Sequence, residues 1–301
     1  DVVEAEIDIL RELGVQFVTG VEVGKDKTIA QLKQEGFDGF YLAIGASEGR
    51  KLGIEGEDAN GVILGVDFLK SVALNKQEPL HGNVVVIGGG NVAIDVARTA
   101  TRCNAETVNM YSLEQRKEMP ALEEEIEEAE SEKVIINNGY GPKRILVEDG
   151  KVVGVEFKKC LSVFNSEGRF SPTYDENDTI TVKADYVLVS IGQRIEWGHL
   201  LDGTNVTVKK NGAVEVDQFY VTGESNIVAG GDCVTGPKFA INAIAGGKEG
   251  SISLHRAVWP GQTQKYGRDR RVYVELDKDN LELSGYDNVK RQRPLSINEN
   301  H

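Results

Sequence analysis

Three observations on the sequence predict an α/β fold with two parallel-sheet domains. Apolar strand-like runs end in glycine, as in "FDGFYLAIG" and "ADYVLVSIG". Between these runs, "VVVIGGGNVAIDVA" passes from strand to glycine turn to helix without interruption. The same succession recurs in "NIVAGGDCVTGPKFAINAIAGG". Strands that alternate with helices favour a mainly parallel sheet.

The opening "DVVEAEIDILREL" is a helix read in mid-course: Val3, Ile7, Leu10 and Leu13 recur at helical spacing and Gly14 stops the run. Residues 37–44 form an apolar strand that ends at Gly45, in the manner of a buried parallel strand that stops at a ligand or a crossover. A short helix follows in "GVDFLKSVAL", and the polar, turn-rich "NKQEPLHGN" puts a domain boundary near His81. From Asn83 the pattern is strand 84–87, glycine turn 88–90, helix 91–102 and strand 107–112, which is a βαβ unit. The acidic "ALEEEIEEAESE" is a helix with a solvated face, whose buried stripe is expected at Leu122, Ile126 and Ala129. Glu148, Asp149 and Gly150 join two strand-like runs into a hairpin. The polar residues 261–301 are assigned no chemistry.

A chain of 301 residues accommodates about two domains. With 48 acidic and 34 basic residues the net charge is −14, which argues against nucleic acid or an anionic membrane surface as the main partner. No apolar run approaches the roughly 18 residues that cross a bilayer, and the N-terminus lacks the pattern of a signal peptide, so the reading is a cytoplasmic chain without membrane insertion. Cys103, Cys160 and Cys233 form no CxxC pair, which disfavours a disulfide reductase, and they make no zinc or iron–sulfur ligand set. His81, His199, His255 and His301 show no metal spacing.

Gly88, Gly90 and Ala93 fit GxGxxG/A directly after a strand and at the opening of a helix, the context of a Rossmann dinucleotide site. Gly88 permits the tight turn, Gly90 the approach of a pyrophosphate, and Ala93 the close packing of helix on sheet. The phosphates are expected over the first amides of the helix, which makes Gly88, Gly89, Gly90, Asn91, Val92 and Ala93 the candidate residues. Such sites hold the adenosine ribose at the end of the second strand, where an acid bonds the 2′-hydroxyl and basic residues accept a 2′-phosphate. Here that strand delivers Ser112, Leu113 and Glu114, with Arg116 two positions on. Glu114 lies 26 residues beyond Gly88, slightly past the usual spacing of about 20. A carboxylate repels a 2′-phosphate, so NAD(H) is expected and NADP(H) disfavoured. Gly192, which ends the strand of "VSIGQ", joins the candidates for this nucleotide.

The motifs "YLAIGAS", "VVVIGGGNVAIDVART", "MPA", "VSIGQ" and "AGGDCVTGPKFAINAIAGGK", in this order over residues 1–260, resemble those of the glutamate synthase small-subunit family of flavoproteins. The resemblance implies an FAD domain interrupted by an NAD(P) domain. Residues 1–80 would be the latter part of the first FAD segment, 81–193 the NAD(H) domain, 194–260 the returning FAD segment and 261–301 a polar tail. It also implies an FAD site at Gly45, Gly231, Asp232, Pro237, Lys238, Phe239 and Ala240. Asp232 would bond a ribityl hydroxyl, and the helix after Pro237 would point its positive end at the flavin. Cys233 reads as a small apolar filler rather than a redox thiol. Two departures stand out. Family members commonly read YRRxxxEMPA where this chain reads "SLEQRKEMPA", so Leu113 and Glu114 occupy the places of two arginines. The family's first GxGxxG and its cysteine-rich segment have no counterpart, so a fragment of a longer flavoprotein is expected. The activity implied is hydride transfer between NADH and FAD, with electrons passed to iron–sulfur clusters or a partner subunit. The competing reading is a nucleotide-binding module that lacks FAD and turnover. The discriminating feature is a flavin spectrum.

Overall fold

The computed structural model describes residues 2–262 and, beyond them, Asp277, Asn280 and Gly285; the tail assigned to 261–301 lies almost wholly outside the described residues. The chain forms two compact units. It leaves the first after Glu48, builds the second from Gly49–Gly192, and returns to the first at Gln193.

The second unit is centred on a five-stranded parallel sheet in the order Val62–Leu64, Tyr186–Val189, Asn83–Ile87, Thr107–Ser112, Ile135–Asn138. The apolar run at Asn83–Ile87 is central because both its faces are buried. Val84 and Val86 pack with Phe68, Ile94, Val96 and Ile126 of the helices Gly65–Ala73, Asn91–Arg102 and Glu123–Ser131. Val85 and Ile87 point the opposite way, toward Ile145, Val155 and Phe157 of a three-stranded antiparallel sheet. The period of two along one strand thus divides two cores. The antiparallel sheet consists of Tyr140–Glu148, Lys151–Phe164 and Phe170–Lys183. Its first turn has φ of 50° at Asp149 and 75° at Gly150, the two positive values of a type I′ hairpin.

The helix, strand and hairpin placements follow the sequence closely, with three differences and one strand that was not anticipated. The units part at Gly49 rather than near His81, because Val62–Leu64 pairs in parallel with Tyr186–Val189 and Phe68 is fully buried in the second unit's core. Leu122 is 51% exposed and not part of the buried stripe: it is the residue before the first helical turn, whereas Ile126 and Ala129 face the core. The strand over 37–44 is confined to Phe40–Leu42. Phe170–Lys183 is a strand although it contains Pro172 and four acidic or amide residues in a row from Asp175; it lies at the sheet edge, where such residues are tolerated.

The first unit has a parallel pair, Phe40–Leu42 with Ile227–Ala229. Its core gathers Ile29, Leu42, Leu200, Val214, Ile227 and Cys233. The helix Ile29–Gln34 starts with a reciprocal capping box between Thr28 and Gln31. The 19-residue helix Ala240–Val258 lies close to the strand pair because glycines meet Tyr41: a Cβ on Gly230 would stand 2.0 Å from the Tyr41 hydroxyl oxygen, and that hydroxyl donates to the Gly246 carbonyl at 2.9 Å. The opening helix forms over Val2–Glu12, but none of its residues is buried.

Candidate nucleotide-binding site

The central strand Asn83–Ile87 lies between Thr107–Ser112 and Tyr186–Val189. Chain order runs outward on one side, from 83–87 to 107–112 to 135–138, and then resumes on the other at 186–189. The strand direction of growth therefore reverses beside Ile87, and ligands of open α/β sheets bind at the carboxyl ends of strands at such a point.

The glycine turn Gly88–Gly90 sits there. Gly88 has φ +151° and donates to the Tyr111 carbonyl at 2.9 Å; a Cβ on it would meet the Ser190 carbonyl oxygen at 2.3 Å and the Ala93 Cβ at 3.0 Å. This glycine and the small Ala93 let the turn pass between two strand ends and the helix. Gly90 differs, since a Cβ there would meet nothing closer than Pro120 Cγ at 4.0 Å. Its open face is what a pyrophosphate needs, and no side chain caps the helix that begins at Asn91. The "MPA" motif braces the turn: Ala121 donates its amide to the Gly89 carbonyl at 3.2 Å, and Leu122 donates to Asn91 Oδ1 at 2.9 Å. Met119 and Ala121 are buried beside it.

Glu114 completes the site. Its Oε2 would stand 2.6 Å from a Cβ on Gly89, so the carboxylate lies directly against the glycine turn. Burial raises its pKa above the ordinary carboxylate value, while a backbone hydrogen bond opposes the shift. Three donors converge on its carbonyl oxygen: Ser112 Oγ at 3.1 Å, Asn138 Nδ2 at 3.2 Å and the Gly139 amide at 3.2 Å. Of the remaining candidates, Gly192 has φ +118° and lies two residues beyond Ser190. Leu113 is not gathered with them, for its Cδ2 packs where a Cβ on Gly141 would be 2.9 Å away. Arg116 is engaged by the acidic helix, with Glu123 at 2.9 Å and Glu130 at 3.3 Å. The residues present thus fit a nicotinamide dinucleotide: an open glycine cradle, an uncapped helix start and an acid on the ribose side.

In the first unit, Gly231 has φ +73° and Asp232 Oδ1 accepts from the Lys238 amide at 3.2 Å. Gly45, with φ +71°, lies three residues beyond Leu42, whose carbonyl accepts from the Cys233 thiol at 3.5 Å. Cys233 is fully buried and burial pushes its thiol pKa up, as befits a core filler. Pro237, Lys238, Phe239 and Ala240 are exposed, and no side chain caps the helix from Ala240. A carboxylate for sugar hydroxyls beside an uncapped helix start fits part of a flavin site. Sequence reasoning missed Asn138 and Gly139; the signal available was the polar "NNG" closing an otherwise apolar parallel strand.

The profile of the pyridine nucleotide-disulphide oxidoreductase family matches residues 3–247. The chain is 33% identical over 268 residues to the NADP(+)-dependent formate dehydrogenase subunit beta of Moorella thermoacetica, covering 87% of this chain and 38% of that protein. It is 29% identical to the NADPH-Fe(3+) oxidoreductase subunit beta of Geobacter sulfurreducens, covering 91% of this chain and 43% of that one. The chain therefore spans less than half the length of these relatives. Among solved structures, FprA of Mycobacterium tuberculosis in complex with NADPH shares the fold with a TM-score of 0.64 at 16% identity, over 79% of this chain and 67% of the other. The T. acidophilum thioredoxin reductase gives 0.55 at 20% identity, over 72% and 64%. The chain belongs to the pyridine nucleotide-disulphide oxidoreductase family, and within it its motifs are those of the glutamate synthase small-subunit-like flavoproteins.

Proposed function

We propose that this chain carries the nicotinamide-nucleotide site and part of the FAD site of a cytoplasmic flavoprotein that prefers NADH and passes electrons to iron–sulfur clusters or a partner subunit. The observation that carries the nucleotide choice is the Glu114 carboxylate lying against Gly89. Subunit status in the relatives' names supports a partner. The same names carry NADP(+) and NADPH, so the choice of NADH rests on this chain's own residues.

When bound, FAD and the nicotinamide supply the hydride transfer, for which the protein provides position and electrostatics rather than an acid or base. No side chain is therefore assigned a catalytic role. Gly88 to Ala93 hold the pyrophosphate on open backbone and helix amides. Glu114 accepts hydrogen bonds from the ribose hydroxyls and repels a 2′-phosphate, by roughly 1–4 kcal/mol at about 4 Å depending on the effective dielectric. Asp232 would accept from a ribityl hydroxyl, and the uncapped start of the helix from Ala240 would supply positive partial charge to the cofactor.

Calorimetric titration of the 301-residue chain with NADH and with NADPH tests the nucleotide choice. NADH is expected to bind about tenfold tighter or more, since about 1.4 kcal/mol corresponds to a factor of ten. Equal affinities, or tighter NADPH, overturn it. For the flavin, absorption bands near ~450 nm in the full-length protein, bleached by NADH, support the oxidoreductase. A colourless full-length protein that still binds NADH favours the module without turnover.

A further inference from the structure

Glu114 cannot direct nucleotide choice unless the chain after Ser112 is held in one place, for the strand Thr107–Ser112 ends two residues before it. The next strand, Ile135–Asn138, provides the hold. Asn138 Nδ2 donates to Ser112 Oγ at 2.9 Å and to the Glu114 carbonyl at 3.2 Å. The Ser112 hydroxyl, accepting from Asn138, donates its own hydrogen bond to the same carbonyl at 3.1 Å. The Gly139 amide, next in sequence, makes the third bond at 3.2 Å. Gly139 is in turn tied to the antiparallel sheet, as its carbonyl accepts from the Cys160 amide at 2.8 Å. Its φ of +79° and the approach of Gln115 Nε2, 2.6 Å from where a Cβ would be, explain why a glycine stands there.

We propose that Asn138 is a positioning residue for nucleotide discrimination: its amide latches the Glu114 carbonyl, and so keeps the carboxylate against Gly89, where it meets the 2′ position of the ribose. The inference rests on the assignment of Glu114 above. A side-chain amide suits this post because it offers two donors at a fixed spacing, one for each oxygen. Without it, Ser112 and the Gly139 amide remain, but the carbonyl loses its link to the side chain of the neighbouring strand, and the carboxylate is no longer held in a single geometry.

The test is a double-mutant cycle on the 301-residue chain, with NADH and NADPH as probes and the ratio of their two dissociation constants as the readout. Asn138→Ala is expected to narrow the preference for NADH about threefold to tenfold. Glu114→Ala alone is expected to narrow it further, and adding Asn138→Ala to Glu114→Ala is expected to change nothing more, because the amide acts through the acid. A purely architectural role would lower thermal stability and leave the ratio where it was; that result overturns the proposal. A ratio change of the same size with and without Glu114 also overturns it. If Glu114→Ala leaves the ratio unmoved, the fault lies with the assignment of Glu114 itself, which this single variant reveals independently of Asn138. Should Asn138→Ala not fold, Asn138→Leu, which keeps most of the volume and removes the Nδ2 donor, enters the same cycle, with the same outcomes deciding.

Discussion

The two units of this chain solve the same task with different completeness. The second has five parallel strands covered on both faces, by helices on one and by an antiparallel sheet on the other, and its central strand is buried from Val84 to Ile87. The first rests on a two-stranded parallel pair. Its long helix buries only Gly246, Gly250 and Ser253, and leaves Phe239, Ile241 and Ile244 each more than 60% exposed. A two-stranded pair is marginal unless a helix packs on it, which is what Tyr41 and the glycines of that helix accomplish. The difference teaches where function is self-contained. The nicotinamide site proposed above draws only on residues of the second unit, whereas the first unit offers an acid and a helix start.

Core substitutions break the comparison most strongly. Phe157→Ala removes the ring stacked on Tyr111 at 4.1 Å and fully buried among the antiparallel strands. A loss of about 3–5 kcal/mol is expected in chemical denaturation. Ile241→Ser on the exposed helix of the first unit is expected to stay within about 0.5 kcal/mol. An equally large loss there would mean that this face is covered in solution.

Nucleotide choice comes next. Glu114→Arg replaces repulsion of a 2′-phosphate with charge-assisted bonds worth about 1.5–3 kcal/mol, so the preference is expected to turn toward NADPH by about tenfold to a hundredfold. Leu113→Arg, by contrast, is expected to add little, since Leu113 packs toward Gly141 rather than Gly89. Fluorescence titration with both nucleotides separates the two positions. A large effect from Leu113→Arg would show that the strand end is less firmly held than its hydrogen bonds indicate.

Gly45 and Gly90 sharpen the comparison between the units. A Cβ on Gly45 meets nothing within 4 Å, yet φ is +71°, so Gly45→Ala is expected to cost about 1–2 kcal/mol in thermal unfolding through backbone strain alone. Gly90 lacks positive φ, and Gly90→Ala is expected to weaken NADH binding more than stability, because its methyl group enters the open cradle. Equal losses of stability would contradict the distinction.

The smallest effect concerns pH. Burial raises the pKa of Glu114, so between the ordinary carboxylate value and the raised one the folded chain binds more protons than the unfolded chain. Stability then falls as pH rises through that window. Glu114→Gln is accordingly expected to be more stable than the parent above the window, with the difference vanishing at acid pH below the ordinary carboxylate range. Thermal melts across pH check this, and a wild type more stable than the variant at neutral pH would refute it.

Much of the fold was legible because its signals are local. "VVVIGGGNVAIDVA" carries a doubly buried strand, a turn that only glycine permits and a helix start within a few residues of one another, and the structure places all three as read. Asp149 and Gly150 announced their hairpin for the same reason. The strand Phe170–Lys183 was not legible, since a polar edge strand with a proline has no periodicity of its own and exists because Lys151–Phe164 offers it a partner.

By itself, the sequence determined the α/β class, the nucleotide turn and the acid at the end of the second strand, because each depends on residues close together in the chain and on backbone conformations that few side chains allow. The tertiary structure alone decided that residues after Gly49 pair into the second unit, that Leu113 turns away while Glu114 lies on Gly89, and that Asn138 reaches back across 24 residues to hold the Glu114 carbonyl. These are choices of partner, made when strands distant in sequence align in register, and a hydrogen bond between neighbouring strands leaves no periodic trace in either one.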